Sequence, residues 1–132
     1  MEPTANLSPS RKALWAGRII SALPVLMMFL GGIMSLVKPP NVIDGMHKFG
    51  YPEQLILVLG IVEMCCAILY VIPRTSVIGA ILMTGYLGGA TATHVRLEDP
   101  AFIAPIIVGI LVWLGLLLRE PRLRPLLPLR SP

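Results

Sequence analysis

Apolar positions along the chain gather into four long runs, Leu14 to Val37, Leu55 to Ile72, Ser76 to Thr93 and Ala101 to Leu118, with polar positions concentrated in the short stretches between them. Each run approaches the roughly 20 residues that a helix needs to cross a bilayer. The runs are continuous rather than alternating, which argues against barrel strands. A lone span in lipid satisfies its backbone hydrogen bonds only as a helix. The pattern predicts an all-α polytopic membrane protein, a four-transmembrane-helix antiparallel bundle with helices at 14–37, 55–72, 76–93 and 101–118. The chain reads as one domain, 1–132, ending in a basic, proline-rich tail, 119–132, too rich in proline for a long helix.

The connections sharpen this reading. Pro73 and Arg74 leave room only for a tight turn, so the second and third helices form a hairpin whose side chains face each other. The stretch KPPNVIDGMHKFGYPEQ, Lys38 to Gln54, is the one connection with room for structure. Two readings fit it: a short interfacial helix over Val42 to Lys48, bracketed by Pro39, Pro40 and Gly50, that caps the outer mouth of the bundle, or a plain loop. Pro24 falls inside the first helix and removes one backbone hydrogen bond, giving a modest kink or a water site. Pro105 is tolerated in the first turns of the fourth. Arg11 and Lys12 ahead of an apolar run resemble a signal peptide. The run is longer than a signal core, however, and ends in Val37-Lys38-Pro39-Pro40 rather than a cleavage site, so the first span is expected to be retained.

Composition agrees: 55% of the 132 residues are hydrophobic and 14% charged, against roughly 25% charged in a soluble domain. Mean hydropathy is +0.79. Charge orients the bundle. With the amino terminus in the cytoplasm, Arg11, Lys12, Arg18, Arg74, Arg119, Arg122, Arg124 and Arg130 lie inside and only Lys38, Lys48 and Arg96 outside. The positive-inside rule therefore places both termini in the cytoplasm. The net charge of +4 matches anionic membrane lipid and gives no reason to invoke nucleic acid. Trp15 and Tyr51 fit the aromatic belt, and Arg18 can snorkel to the headgroups. Asn6-Leu7-Ser8 spells a glycosylation acceptor, but its cytoplasmic placement makes that match a chance one.

Candidate chemistry begins at Glu63, an acid in the middle of the second span. Placing it there costs roughly 2.5–3.5 kcal/mol on insertion scales, which marks a site with a partner. Cys66 and Tyr70 follow on the same helical face and are expected to line the same interior, while Cys65 points elsewhere. Adjacent cysteines rarely bridge, and the chain has no third, so no disulfide forms within one subunit. The third helix carries small residues four apart, Gly85 with Gly89 and Gly88 with Ala92, expected to admit a neighbouring helix or a second subunit. It also carries a polar stripe of Thr84, Thr91 and His94, flanked by Tyr86 and Arg96. Threonines in membrane helices usually bond their own backbone four residues back. By depth, Glu63 can meet Thr84 or Tyr86, whereas His94 lies at the outer mouth, so the groups form a polar channel rather than a dyad. Glu63 and His94 are the candidate catalytic residues, with Cys66, Tyr70, Thr84, Tyr86, Thr91 and Arg96 lining a substrate site. No set of cysteine and histidine residues suggests a metal, and no histidine pair suggests haem.

The segments GYPEQ at Gly50, LGIVEMCCAILYVIPRT at Leu59, TGYLGGATATHVR at Thr84 and LREPRLRPLLPLR at Leu118 resemble the DoxX-like family of small four-helix membrane proteins. The resemblance implies that Glu63 is the family's membrane acid, and that Tyr86, Gly88, Gly89, His94 and Arg96 belong to its signature. It also implies a multi-pass protein of a bacterial-type inner membrane. Family members often carry an acid and a lysine near the outer end of the first helix, where this chain has Gly31 and Ser35. Some relatives are linked with thiosulfate oxidation and pass electrons to quinone; others are associated with oxidative-stress complexes. The fold is implied strongly and the activity weakly. Three classes stay open: a quinone- or lipophile-linked oxidoreductase component, with a quinone as its candidate cofactor; a cofactor-free lyase, isomerase or cyclase acting on a lipophilic metabolite; and a non-catalytic assembly or binding protein. Membrane lipid, a small lipophilic ligand and a second copy or another membrane subunit are the expected partners.

Overall fold

The computed structural model describes residues 8–127, and the expectations that rest on Asn6, Leu7, Arg130 and Pro132 lie outside the described residues. Five α-helices follow in order: α1 (Arg11–Val37), α2 (Pro40–Lys48), α3 (Gln54–Val71), α4 (Ser76–Arg96) and α5 (Ile103–Arg119). The described residues form helices and connections, with no strand. The four long segments are each apolar enough to cross a membrane, the last including the turn that precedes α5. Isoleucines, leucines and valines on their outer faces are left exposed, as a bundle solvated by acyl chains requires.

Local chemistry sets the boundaries. Ser10 caps α1 by accepting from the Ala13 N–H at 3.1 Å. At the other end Lys38 turns left-handed, with φ 51°, and the adjacent prolines start α2 in place of an unbroken helix. Ile72 is extended, as the residue before Pro73 should be. The Thr75 hydroxyl then donates to the Leu69 carbonyl at 2.7 Å and clips the hairpin shut. α2 begins two residues before the expected helix. α4 runs three residues past Thr93, which puts His94 and Arg96 in its last turn. A 3-10 turn at Pro100–Phe102 precedes α5, so Pro105 falls in the first turn of that helix. Pro24 is buried and α1 continues through it.

The long helices form a ring in which α1 packs on α3 and α5, and α4 packs on the same two. Four alternating spans place α2 at one end of the bundle and both ends of the described chain at the other. Glycine brings the helices together. A Cβ on Gly32 would stand 3.1 Å from the Gly60 carbonyl, and one on Gly17 would stand 2.9 Å from the Gly115 carbonyl. These two pairs set where α1 crosses α3 and α5. On the hairpin, Gly79 of α4 lies directly on the backbone of Tyr70.

The core runs through Met28, Cys66, Tyr70, Met83, Val112 and Leu116. Tyr70 ties three helices together. Its hydroxyl donates to the Val112 carbonyl at 2.7 Å and, with its proton so used, accepts from Ser21 at 2.9 Å. The described part of the tail forms a 3-10 helix, Pro121–Leu126, with Pro121 buried and Leu123 against the core. It is short, as its prolines require.

A candidate lipophile site beneath α2

The Glu63 side chain lies about nine residues into α3, roughly 14 Å along the axis at ~1.5 Å per residue. It is half-buried and faces both neighbours of α3. On the α4 side the Tyr86 hydroxyl donates to Glu63 Oε2 at 3.1 Å. On the α1 side Gly31 makes the space, since a Cβ there would stand 2.6 Å from Glu63 Oε1. The expected link across the hairpin is therefore present, through one of its two candidate partners.

The other candidate, Thr84, is turned away. It donates to the Ala80 carbonyl and accepts from Trp113 Nε1 of α5, each at 2.7 Å. Thr91 donates to the Leu87 carbonyl at 2.8 Å, and together with Thr84 it lines a shallow apolar groove between α4 and α5. The expected stripe thus divides. At 3.6 residues per turn, Thr84 and Thr91 share a line, whereas His94 lies some 60° round the helix from it and faces a different space.

That space is a cavity of about 370 Å³. Ser35 of α1, Leu59 of α3, and Gly85, Tyr86, Gly89, Ala90, Thr93 and His94 of α4 form its walls, and Met46, Phe49 and Tyr51 close it at the α2 end. Tyr86 joins this cavity to Glu63, which does not itself line it. The cover is held by polar contacts. Arg96 Nη2 donates to the Phe49 carbonyl. Thr93 donates to the Gly89 carbonyl at 2.9 Å, which leaves it to accept from the Tyr51 hydroxyl at 3.0 Å. The Phe49 ring meets the His94 ring edge-on with centroids 4.9 Å apart.

His94 is fixed from behind. Its Nδ1 lies 2.9 Å from Asp99 Oδ2, while Asp99 Oδ1 accepts from the Ala101 N–H, also at 2.9 Å. The Ala101 amide and then His94 hold the Asp99 carboxyl below its ordinary range, so it stays ionised. An ionised carboxylate accepts, which assigns the proton of this contact to Nδ1 and leaves Nε2 as the remaining polar atom of a ring that lines the cavity.

Several sequence expectations change accordingly. Cys66 and Tyr70 are buried in the packed core, where Tyr70 spends its hydroxyl on Ser21 and Val112; neither lines the cavity. Arg96 holds the cover and does not line the cavity. Cys65 is exposed, whereas Cys66 is buried. Gly85, Gly88 and Gly89 admit no helix of the same chain: a Cβ at any of them would meet nothing within 4 Å. Gly85 and Gly89 widen the cavity, and Gly88 the groove toward α5. Sequence reasoning missed Asp99, whose only signal was its position five residues after His94, and it missed Ser35, Phe49 and Thr93. Among the described residues, no group of three His, Cys, Asp or Glu side chains could hold a metal ion.

Fold and surface define a multi-pass integral membrane protein whose spans enclose a small polar-lipped cavity. The chain belongs to the DoxX-like family, whose sequence model matches residues 19–115. The match begins within α1, upstream of the motifs at Gly50 to Arg96, and stops at Gly115, short of the basic tail. No curated protein and no solved structure matches the chain.

Proposed function

We propose that the protein seats a small lipophilic molecule with a hydrogen-bonding head in the cavity beneath α2 and exchanges protons with it, as a quinone- or lipophile-linked oxidoreductase component. The observation that carries this reading is that Tyr86 both lines the cavity and donates to Glu63, the half-buried acid of α3. At about 370 Å³ the space suits a single ring or a short head group, within the range of roughly 300–1,000 Å³ usual for small-ligand sites. Leu59, Met46 and Phe49 supply apolar contact. Ser35, Tyr86 and His94 Nε2 offer hydrogen-bond acceptors, because the Ser35 and Tyr86 protons go to the Gly31 carbonyl and to Glu63 and the His94 proton goes to Asp99. A quinone fits by its apolar ring and, in its reduced form, by two hydroxyls that donate to these acceptors, and the electrons exchanged with it are assigned to a partner subunit. In this reading Glu63 passes a proton through the Tyr86 hydroxyl at the inner end, and His94, oriented by Asp99, serves the end under α2. Both termini are assigned to the cytoplasm by the excess of basic residues at their end, so the cavity opens toward the outer leaflet.

The test is Glu63→Gln in membranes that carry the protein. Loss of quinone-coupled turnover with the bundle still folded supports the reading, and unchanged turnover removes it. Thermal unfolding of the purified protein with short-tailed benzoquinones and naphthoquinones tests the seat directly. A second reading, a cofactor-free isomerase or lyase, rests on the His94–Asp99 pair, whose geometry serves a general base equally well. Heat protection by a non-quinone lipophile, with turnover in the absence of any electron donor, would select it.

A further inference from the structure

The most basic end of the molecule holds a cation with no hydrogen-bond or ion-pair partner among the described residues. Arg119 closes α5, and its guanidinium carbon lies 4.9 Å from the centre of the Tyr70 ring. Its stem fits because position 17 is glycine, where a Cβ would stand 2.6 Å from Arg119 Cγ. Nε and Nη2 are shut off from solvent and meet no hydrogen-bond acceptor among the described residues. Tyr70 offers only its ring, because its hydroxyl is bound to Val112 and Ser21. Glu120, the one described acid at this end, lies 3.9 Å from Arg122 instead.

Enclosed donors that face nothing are unfavourable until an anion completes them. Position selects the anion. α5 ends where its apolar span ends, the level at which lipid phosphates sit, and a phosphate presents only acceptors to the planar guanidinium fork. Arg18, Arg74, Arg122 and Arg124 lie at the same end and concentrate anions there. Nη1, the one guanidinium nitrogen that is not enclosed, gives a phosphate oxygen its point of entry, with Nη2 beside it. We propose that Arg119 anchors a phosphate site between α1, α3 and α5 that takes the phosphodiester head of an anionic lipid.

The full chain, purified in detergent, decides this by native mass spectrometry and thermal unfolding with phosphatidylglycerol, phosphatidylcholine or inorganic phosphate. The wild type should keep one phosphatidylglycerol through delipidating washes and unfold at a higher temperature with it than with phosphatidylcholine. Arg119→Gln should lower retention by about tenfold, the loss of one charge-assisted pair. Arg122→Gln and Arg124→Gln, exposed charges, should lower it by less than about twofold. Equal retention in Arg119→Gln, or equal losses in all three variants, overturns the site. Equal stabilisation of the wild type by both lipids overturns it too, and this arm decides the matter if Arg119→Gln does not fold. Stabilisation by inorganic phosphate as large as that by phosphatidylglycerol keeps the phosphate chemistry and overturns the lipid as its source.

Discussion

Glycine plays opposite parts at the helix crossings and in the half of α4 nearer α2. On α1, Gly17 and Gly32 lie against Gly115 and Gly60 so closely that any side chain would strike a backbone carbonyl at about 3 Å. On α4, Gly85, Gly88 and Gly89 face open space. The same residue type therefore marks a crossing in one place and a void in another. Hydrocarbon gives helices no hydrophobic reason to associate, so close approach is gained where backbones touch. Where glycine leaves space unfilled instead, the contact has been given up for something that enters. The void on α4 is bounded by Tyr86 and His94, the residues with chemistry to offer.

The largest effect should come from the crossing points. Gly79→Ala drives a methyl group into the backbone of Tyr70, which has no freedom to yield at the closed end of the hairpin. We expect a loss of about 3 kcal/mol, the upper part of the range for overpacking, read from reversible unfolding in mixed micelles. Gly89→Leu should behave in the opposite way. Its stability should stay within about 1 kcal/mol of wild type, since glycine is itself a poor helix former. Protection by a bound lipophile should instead fall by about tenfold as the side chain fills the cavity. If Gly89→Leu unfolds the bundle and Gly79→Ala does not, the contrast between crossing and open glycines is wrong.

The contrast also explains what could be read from the sequence. Span number and the hairpin at Pro73 were legible because hydropathy and proline act locally, while the segment after Pro40 left helix and loop both open. The link between Glu63 and the facing helix was legible because depth follows from rise per residue. The role of each glycine was not, since spacing records which face a residue occupies and not what stands opposite. Thr84 shows the same limit: it matches Glu63 in depth yet points toward Trp113, and only the ring order of the helices decides that. Asp99 escaped notice because its partnership with His94 depends on the turn after α4, in which Glu98 adopts φ 54°.

A smaller effect is expected between the two extremes. At Gly31 an added Cβ would meet Glu63 Oε1 at 2.6 Å, but this neighbour is the free end of a flexible side chain. Gly31→Ala should swing the carboxylate rather than part the helices. The Tyr86 bond would be lost, at about 1 kcal/mol, and Tyr86→Phe should reproduce that loss in the same unfolding assay. Substantially more destabilisation from Gly31→Ala than from Tyr86→Phe would place Gly31 with the crossing glycines instead.

The smallest effect concerns the cover, and it depends on pH. Asp99 is held below its ordinary carboxyl range by the Ala101 N–H and by His94, so its contribution is complete above the pKa of the unfolded chain and disappears as pH falls through the folded value. Above about pH 5 the turn at Asp99 should therefore be insensitive to acid, and it should loosen only below about pH 4. Hydrogen exchange at Ala101 reports it, because that amide is bonded to the carboxylate itself. Faster exchange on acidification confined to the turn and to α2, with the crossing glycines still protected, is the expected pattern. In Asp99→Asn the acid-dependent step should vanish, and the Ala101 amide should exchange at a faster rate that no longer responds to protonation of this side chain. A step that survives in Asp99→Asn would assign the sensitivity to another group and leave His94 without its anchor.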